Sequence, residues 1–287
     1  MLLLLLLTCV TTTATQASAL ETRVRDLIAK SGAEVAVAYR AVDGKSELFI
    51  DADKPFHAAS TMKVPVLIEL FAQDAAGTLR LTDPLPIVNE FHSIVDGSPY
   101  KLSVGDDSDV DVYRNIGKTM TLAELADAMI TVSSNFATNL LIEKLGVENV
   151  KETVRRLGAD GMRVLRGVED QKAFDKGLNN QTTARALLIL FEKLAKRQAV
   201  GNVSDPTMVD ILKRQKFNSA IPAGVPAGTP VAHKTGNITR IHHDSGIVYG
   251  PRPYVLVVLV RGIQEQKESA ALIASISKAI WEHTAAK

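Results

Sequence analysis

Ser60, Lys63, Ser133, Asn135, Lys234 and Thr235 are the residues whose types and spacing could do chemistry together. A serine hydroxyl is a weak nucleophile and needs a base. Lys63 stands three residues after Ser60 at the start of an expected helix, and residues three apart share a helix face with Cβ atoms roughly 5–6 Å apart. Lys63 can therefore reach the Ser60 hydroxyl. The positive end of the helix dipole, or a neighbouring ammonium, favours the neutral amine, which is the form able to take a proton. Pro65 removes a backbone hydrogen bond just inside that helix, a local cost that suggests constraint. Alone, a serine three before a lysine is a common accident.

Ser133-Ser134-Asn135 follows Ile130-Thr131-Val132 at the mouth of another helix. Its bland reading is an ordinary N-cap cluster, since Ser and Asn are preferred there. Lys234-Thr235-Gly236 falls on a strand. Glycine there lets a ligand approach the backbone closely, while Lys and Thr present a cation and a hydroxyl to an anionic group. A surface strand with a bulge is the bland alternative.

The elements that must position these groups are readable from periodicity. Leu20 to Lys30 has helical spacing and stops at Gly32; Glu34 to Arg40 alternates, and Asp43-Gly44 leads into Glu47 to Asp51, a hairpin signal. A helix follows from about Ser60 to Ala75. Thr121-Leu122-Ala123-Glu124 reads as a capping box, and helices run from Asn135 to Leu145, Glu148 to Leu157, Thr182 or Thr183 onward, and Asp205-Pro206 onward. Strands return at Val231 to Asn237, Gly246 to Tyr249 and Tyr254 to Val260, and a last helix spans Glu265 to His283. Tyr254 to Val260 is apolar throughout, as a strand covered on both faces would be. The expected class is α/β in the α+β sense. It has one antiparallel sheet from 20–59 and 220–287, flanked by the terminal helices, and an all-helical block over about 60–219. The active site belongs in the crevice between them. Residues 82–119 and 163–181 lack periodicity, and loops of that length are usually functional or disordered; their apolar and aromatic content predicts order.

S-x-x-K, then S-x-N, then K-T-G, on helix, helix mouth and strand, resembles the class A β-lactamases and penicillin-binding proteins, the penicillin-recognising serine hydrolases. The resemblance covers essentially the whole chain after residue 19, including Phe56 to Lys63, Asn135 with Leu140-Leu141, and Pro226-Ala227-Gly228 before the K-T-G strand. It implies hydrolysis of a β-lactam through an acyl-enzyme on Ser60, with Lys63 as proton acceptor or relay. Ser133 would pass a proton to the leaving nitrogen. Lys234 with Thr235 would hold the substrate carboxylate, Gly236 would let the substrate approach the backbone, Asn135 would bond its side-chain amide, and the N–H groups of Ser60 and Asn237 its oxyanion. A D-Ala-D-Ala peptidase, another acyl hydrolase and a sensor that stays acylated are the rivals.

The chain departs from that pattern twice. Ser134 stands where the family's second triplet usually has aspartate, which predicts a rearranged hydrogen-bond network. The loop 163–181 has no E-x-x-L-N, whose glutamate activates the deacylating water; Glu169 is the best candidate, with Asp170 and Asp175 as alternatives and loop salt bridges as the bland reading. Adjacent His242 and His243 would point to opposite faces of a strand, favouring a polar wall over a metal site. Arg240 could support Lys234 or be a solvated turn arginine. Gly105 to Asp109 reads as an exposed acidic loop, and Tyr100 and Tyr113 either stack on substrate or pack in the core.

With 33 basic and 32 acidic side chains, the chain lacks the basic footprint that nucleic acid requires. Leu2 to Leu7 followed by Ala17-Ser18-Ala19 reads as a signal peptide over 1–19, implying a periplasmic or secreted protein without a membrane span. Cys9, the only cysteine, falls within it, so the remainder offers no disulfide or thiolate. The expectation is a monomer acting on a small β-lactam without metal or organic cofactor.

Overall fold

The computed structural model describes residues 19–285. The expected signal segment, with Cys9, lies outside them except for Ala19. A first helix, α1 (19–31), ends at Gly32 with φ of 64°. The strands β1 (Glu34–Ala41) and β2 (Glu47–Ile50) then form a hairpin whose turn uses Gly44 at φ of 74°, a backbone region that glycine enters without steric cost.

Three more strands come from the far end of the chain: β3 (Val231–Ile238), β4 (Ile241–Val248) and β5 (Tyr254–Arg261). The antiparallel sheet has the order β2-β1-β5-β4-β3. β5 is central, and alternation sorts its side chains. Leu256, Val258 and Val260 face a core shared with the N- and C-terminal helices, while Val255, Val257 and Leu259 face a second core shared with the helical block. That two-sided burial accounts for a strand with no polar residue before Arg261. β4 begins five residues earlier than its apolar content suggests, because His242 to Ser245 are polar yet buried.

The block comprises α2 (Lys63–Ala75), α3 (Leu122–Thr131), α4 (Asn135–Leu145), α5 (Val147–Arg156), α6 (Gln171–Asp175), α7 (Ala184–Ala195) and α8 (Ser204–Lys213); α9 (Gln266–Ala285) closes the chain. The capping box at Thr121 and Glu124 is formed in both directions. α7 packs across β1, β4 and β5, and α2 is surrounded by α3, α4, α5 and α8. The helix carrying Lys63 is thus the buried centre of the block. Truncating one of its core residues, such as Leu67→Ala, would cost about 2–5 kcal/mol.

Both aperiodic segments are ordered by short pairings. Pro84–Pro86 pairs with Thr119–Thr121, Phe91–His92 with Pro99–Tyr100, and Phe56–His57 with Gln181–Thr182. Among the described residues, no helix is long and apolar enough to cross a membrane.

Candidate active site

Ser60 does not open the α-helix directly. It lies in a 3₁₀ turn, Ala59–Met62, that feeds α2. Ala59 takes φ of 45° to enter that turn, the left-handed region that disfavours a residue with a Cβ. The late start of α2 also removes the cost expected of Pro65. As the third residue of α2, it sits where N–H groups have no intrahelical partner to lose.

Lys63 is fully buried. Its ammonium donates to Ser133 O (2.6 Å), Ser133 Oγ (3.1 Å) and Asn135 Oδ1 (2.8 Å). All three protons are directed at the mouth of α4, and Ser60 Oγ has no hydrogen-bond partner among the described residues. The Lys63 ammonium thus makes its hydrogen bonds at the mouth of α4 rather than to Ser60. Burial pushes the Lys63 ammonium down to about 7, against the opposing pull of Asp107 and Glu169.

Lys234, also fully buried, donates to the same Ser133 Oγ at 3.0 Å and to Thr235 O at 3.0 Å. Burial lowers its pKa, Lys63 adds to that, and Asp244 opposes it. Ser133 itself holds φ of 61°. That conformation costs of order 1–3 kcal/mol and persists where surroundings over-determine it; here Lys63 and Ser108 grip the carbonyls of Ser133 and Val132.

β3, the edge strand of the sheet, runs against the Ser60 turn. A Cβ on Gly236 would come within 3.1–3.2 Å of Thr61 Cγ2, Ala59 Cβ and Ser60 N, so the K-T-G glycine is a close-approach residue rather than a bulge. A cleft of about 450 Å³ opens beside it, lined by His57, Ser60, Asn135, Glu169, Phe174 and Asn237 among others. A groove of similar volume, about 470 Å³, lies between α2 and α5. It holds none of the motif residues, and its buried Glu69 is satisfied by Thr153 and Gln73.

The 163–181 loop closes the cleft opposite β3. Its neck is held without an ion pair: Arg166 donates to Leu178 O and Asn179 Oδ1, and Asn180 bonds the backbone of Leu165 and Arg166. Glu169, at φ of 60°, faces the cleft and accepts from Asn135 Nδ2 at 3.0 Å. Desolvation by the cleft walls raises its carboxyl pKa, and Asp106 adds to the rise while Lys63 opposes it. Asp170 also lines the cleft, but the carboxylates of both alternatives are engaged by the loop and its neighbours. Asp170 is buried and accepts from Ser93 Oγ, Ile94 N and Ala173 N. Asp175 is exposed and accepts from Gln171.

These motif residues belong to a fold that runs the length of the described chain. A family model described as the β-lactamase enzyme family matches residues 19–284. The chain belongs to the class A β-lactamase family. A β-lactamase of Bacillus licheniformis is 32% identical over 176 residues, 59% of this chain and 57% of that protein; the match spans little more than half of that relative's length. The crystal structure of a β-lactamase from Sphaerobacter thermophilus superposes with a TM-score of 0.81 at 25% identity, over 93% of this chain and 98% of that one. A mutant of a protein named PBP-A, solved as its acyl-enzyme complex with penicillin G, superposes with a TM-score of 0.80 at 25% identity, over 94% and 97%.

Several residues that shape this cleft carry no sequence signal of their own. Asn139, one turn into α4, accepts from Val168 N (2.6 Å) and donates to Val168 O (2.9 Å), which fixes the backbone beside Glu169. A Cβ on Gly167 would meet Asn139 Oδ1 at 2.5 Å, so a larger residue there would displace the Asn139 amide from Val168. The expectation of an exposed acidic loop fails at Asp107 and Asp109, which turn inward. Asp107 accepts the N–H groups of Asn135 (3.0 Å) and Phe136 (2.9 Å), and Asp109 those of Asp111 and Val112. Tyr100 and Tyr113 pack against Phe91 and Phe136 rather than lining the cleft. His242 bonds Ser269 on α9 while His243 bonds His57 O on the other face. Arg240 is exposed in the turn and donates to Gly262 O.

Proposed function

We propose that the chain hydrolyses β-lactams through an acyl-enzyme on Ser60, as a single catalytic domain over 20–287. The observation that carries this reading is Ser133 Oγ held between Lys63 and Lys234 at 3.1 and 3.0 Å. A hydroxyl that accepts from two lysines has its own proton left to donate. The cleft holding Ser60 is where that proton is useful.

Ser60 Oγ attacks the lactam carbonyl, and its proton passes to neutral Lys63, which is accessible because burial brings the ammonium down to about 7. Lys63 returns a proton to Ser133, which protonates the lactam nitrogen as the C–N bond breaks. The oxyanion is assigned to the N–H groups of Ser60 and Asn237. β3 is the sheet edge, so alternate N–H groups on it are unpaired within the sheet; each such donor is worth about a hundred- to thousandfold in rate. A substrate carboxylate near Thr235 would draw a proton onto buried Lys234, since a nearby anion favours the charged form. Glu169 then activates the water that releases the product. Export to a periplasmic or secreted location and a monomeric state belong to the same proposal.

The rival reading is a penicillin-binding protein that keeps its acyl group, or a D-Ala-D-Ala peptidase, and the similarity to PBP-A favours keeping it in view. Mixing the purified protein with a chromogenic cephalosporin separates the readings. Hydrolysis predicts a steady state that continues for many equivalents after the first. A burst of one equivalent followed by no turnover would overturn it.

A further inference from the structure

The mouth of α4 opens with three backbone N–H groups, on Asn135, Phe136 and Ala137, that no preceding helical carbonyl can accept. Ser134 Oγ takes the third at 3.2 Å. Asp107 takes the other two, Asn135 N on Oδ1 at 3.0 Å and Phe136 N on Oδ2 at 2.9 Å, and Tyr113 donates its hydroxyl to the same carboxylate at 3.2 Å. Ser133 precedes this mouth in its strained conformation. Ser133 and Asn135 together supply all three acceptors of Lys63.

We infer that Asp107 is a positioning residue of the site. It is a carboxylate delivered across space from the 82–119 segment to a helix mouth whose own middle residue, Ser134, is short and uncharged. The inference rests on the roles of Ser60, Lys63 and Ser133 proposed above. The positive end of α4 favours an anion at this place, and charge-assisted bonds to two successive N–H groups fix both the height and the rotation of the turn. Because Asn135 N and Asn135 Oδ1 belong to one residue, the grip on the backbone also aims the side chain that meets Lys63 and Glu169. A loop that reads as solvated acid is thereby part of the catalytic frame.

Asp107 acts on Lys63 by charge as well as by position. The groups facing Lys63 are Ser60 from the preceding turn, Ser133 and Asn135 at the mouth of α4, Lys234 from β3, Glu169 from the 163–181 loop, and Asp107. Among the charges that keep a proton on Lys63, Asp107 stands ahead of Glu169. Removing its charge should make Lys63 lose its proton at lower pH.

Three variants test this. Asp107→Ala should speed amide exchange at Asn135 and Phe136 and slow acylation of Ser60 roughly ten- to a hundredfold, the loss expected when hydrogen bonds to a charged group are removed. Asp107→Asn keeps shape and one acceptor without charge, and should move the acid limb of acylation to lower pH. Ser134→Asp added to Asp107→Ala returns a carboxylate to the turn from within and should bring acylation back near the wild-type rate. Wild-type exchange at Asn135 and Phe136 in Asp107→Ala would overturn the proposal. So would a rate loss that Ser134→Asp leaves untouched while protection collapses throughout α3 and α4, which would mark a merely structural residue. Should the wild-type protein fail to acylate, the functional reading falls, and the exchange measurement, which needs no substrate, still decides the placement of Asp107.

Discussion

Asn135 Nδ2 donates to Glu169 Oε1 across 3.0 Å, while Asn135 Oδ1 accepts from Lys63 at 2.8 Å. One amide thus bridges the buried lysine and the Glu169 carboxylate. The amide's two ends fit an acceptor on one side and a donor on the other, so Asn135 holds Lys63 and Glu169 in one hydrogen-bonded chain.

Glu169→Gln should acylate normally and then accumulate the adduct. Loss of a general base typically costs about a hundred- to ten-thousandfold, enough to reduce steady turnover to a burst of one equivalent. Unchanged steady-state hydrolysis would remove Glu169 from the mechanism. Asp175→Asn should leave turnover within a few-fold. Asp170→Ala should instead destabilise the fold by about 2 kcal/mol, since it strips a buried acceptor from three donors; a thermal melt that does not move would contradict that.

The pH dependence of acylation follows from Lys63. In the proposed mechanism its neutral form takes the Ser60 proton, so kcat/KM should climb with pH and level off above about 7. The same shift makes a stability statement. Lys63 is charged in the unfolded chain up to about pH 10, whereas the folded protein loses that proton near 7. Between those values the unfolded state binds more protons, so stability rises with pH across the window. Lys63→Met should flatten that rise in urea midpoints measured at pH 7 and 9.

Lys234→Ala should impair substrates that carry a carboxylate far more than a neutral ester with the same acyl group. Comparing kcat/KM for the pair checks this. Equal losses would mean that Lys234 serves only to hold Ser133 Oγ.

The backbone of the site was legible because its residues are constrained locally. Ser60, Ser133, Asn135 and Lys234 sit beside a helix start, a helix mouth and a strand that periodicity and capping chemistry mark out, and the Asp43-Gly44 hairpin and Thr121 capping box are likewise contained in a few consecutive residues. Lys63 was legible beside Ser60 but not in its hydrogen-bond partners, Ser133 and Asn135, which stand 70 and 72 residues further on. The roles of Asp107 and Asn139 were illegible because each acts across dozens of residues, on backbone groups that any sequence possesses. Two-residue pairings such as Phe91–His92 with Pro99–Tyr100 leave no period to detect.

The most direct measurement follows the mass of the protein after mixing with a penicillin, quenched in acid within the first turnover and repeated in Glu169→Gln. Ring opening loses no atoms, so the account predicts a gain equal to the whole penicillin, located on the peptide that contains Ser60 and absent from Ser60→Ala. An equal adduct in Ser60→Ala, or one located on a different peptide, would contradict it.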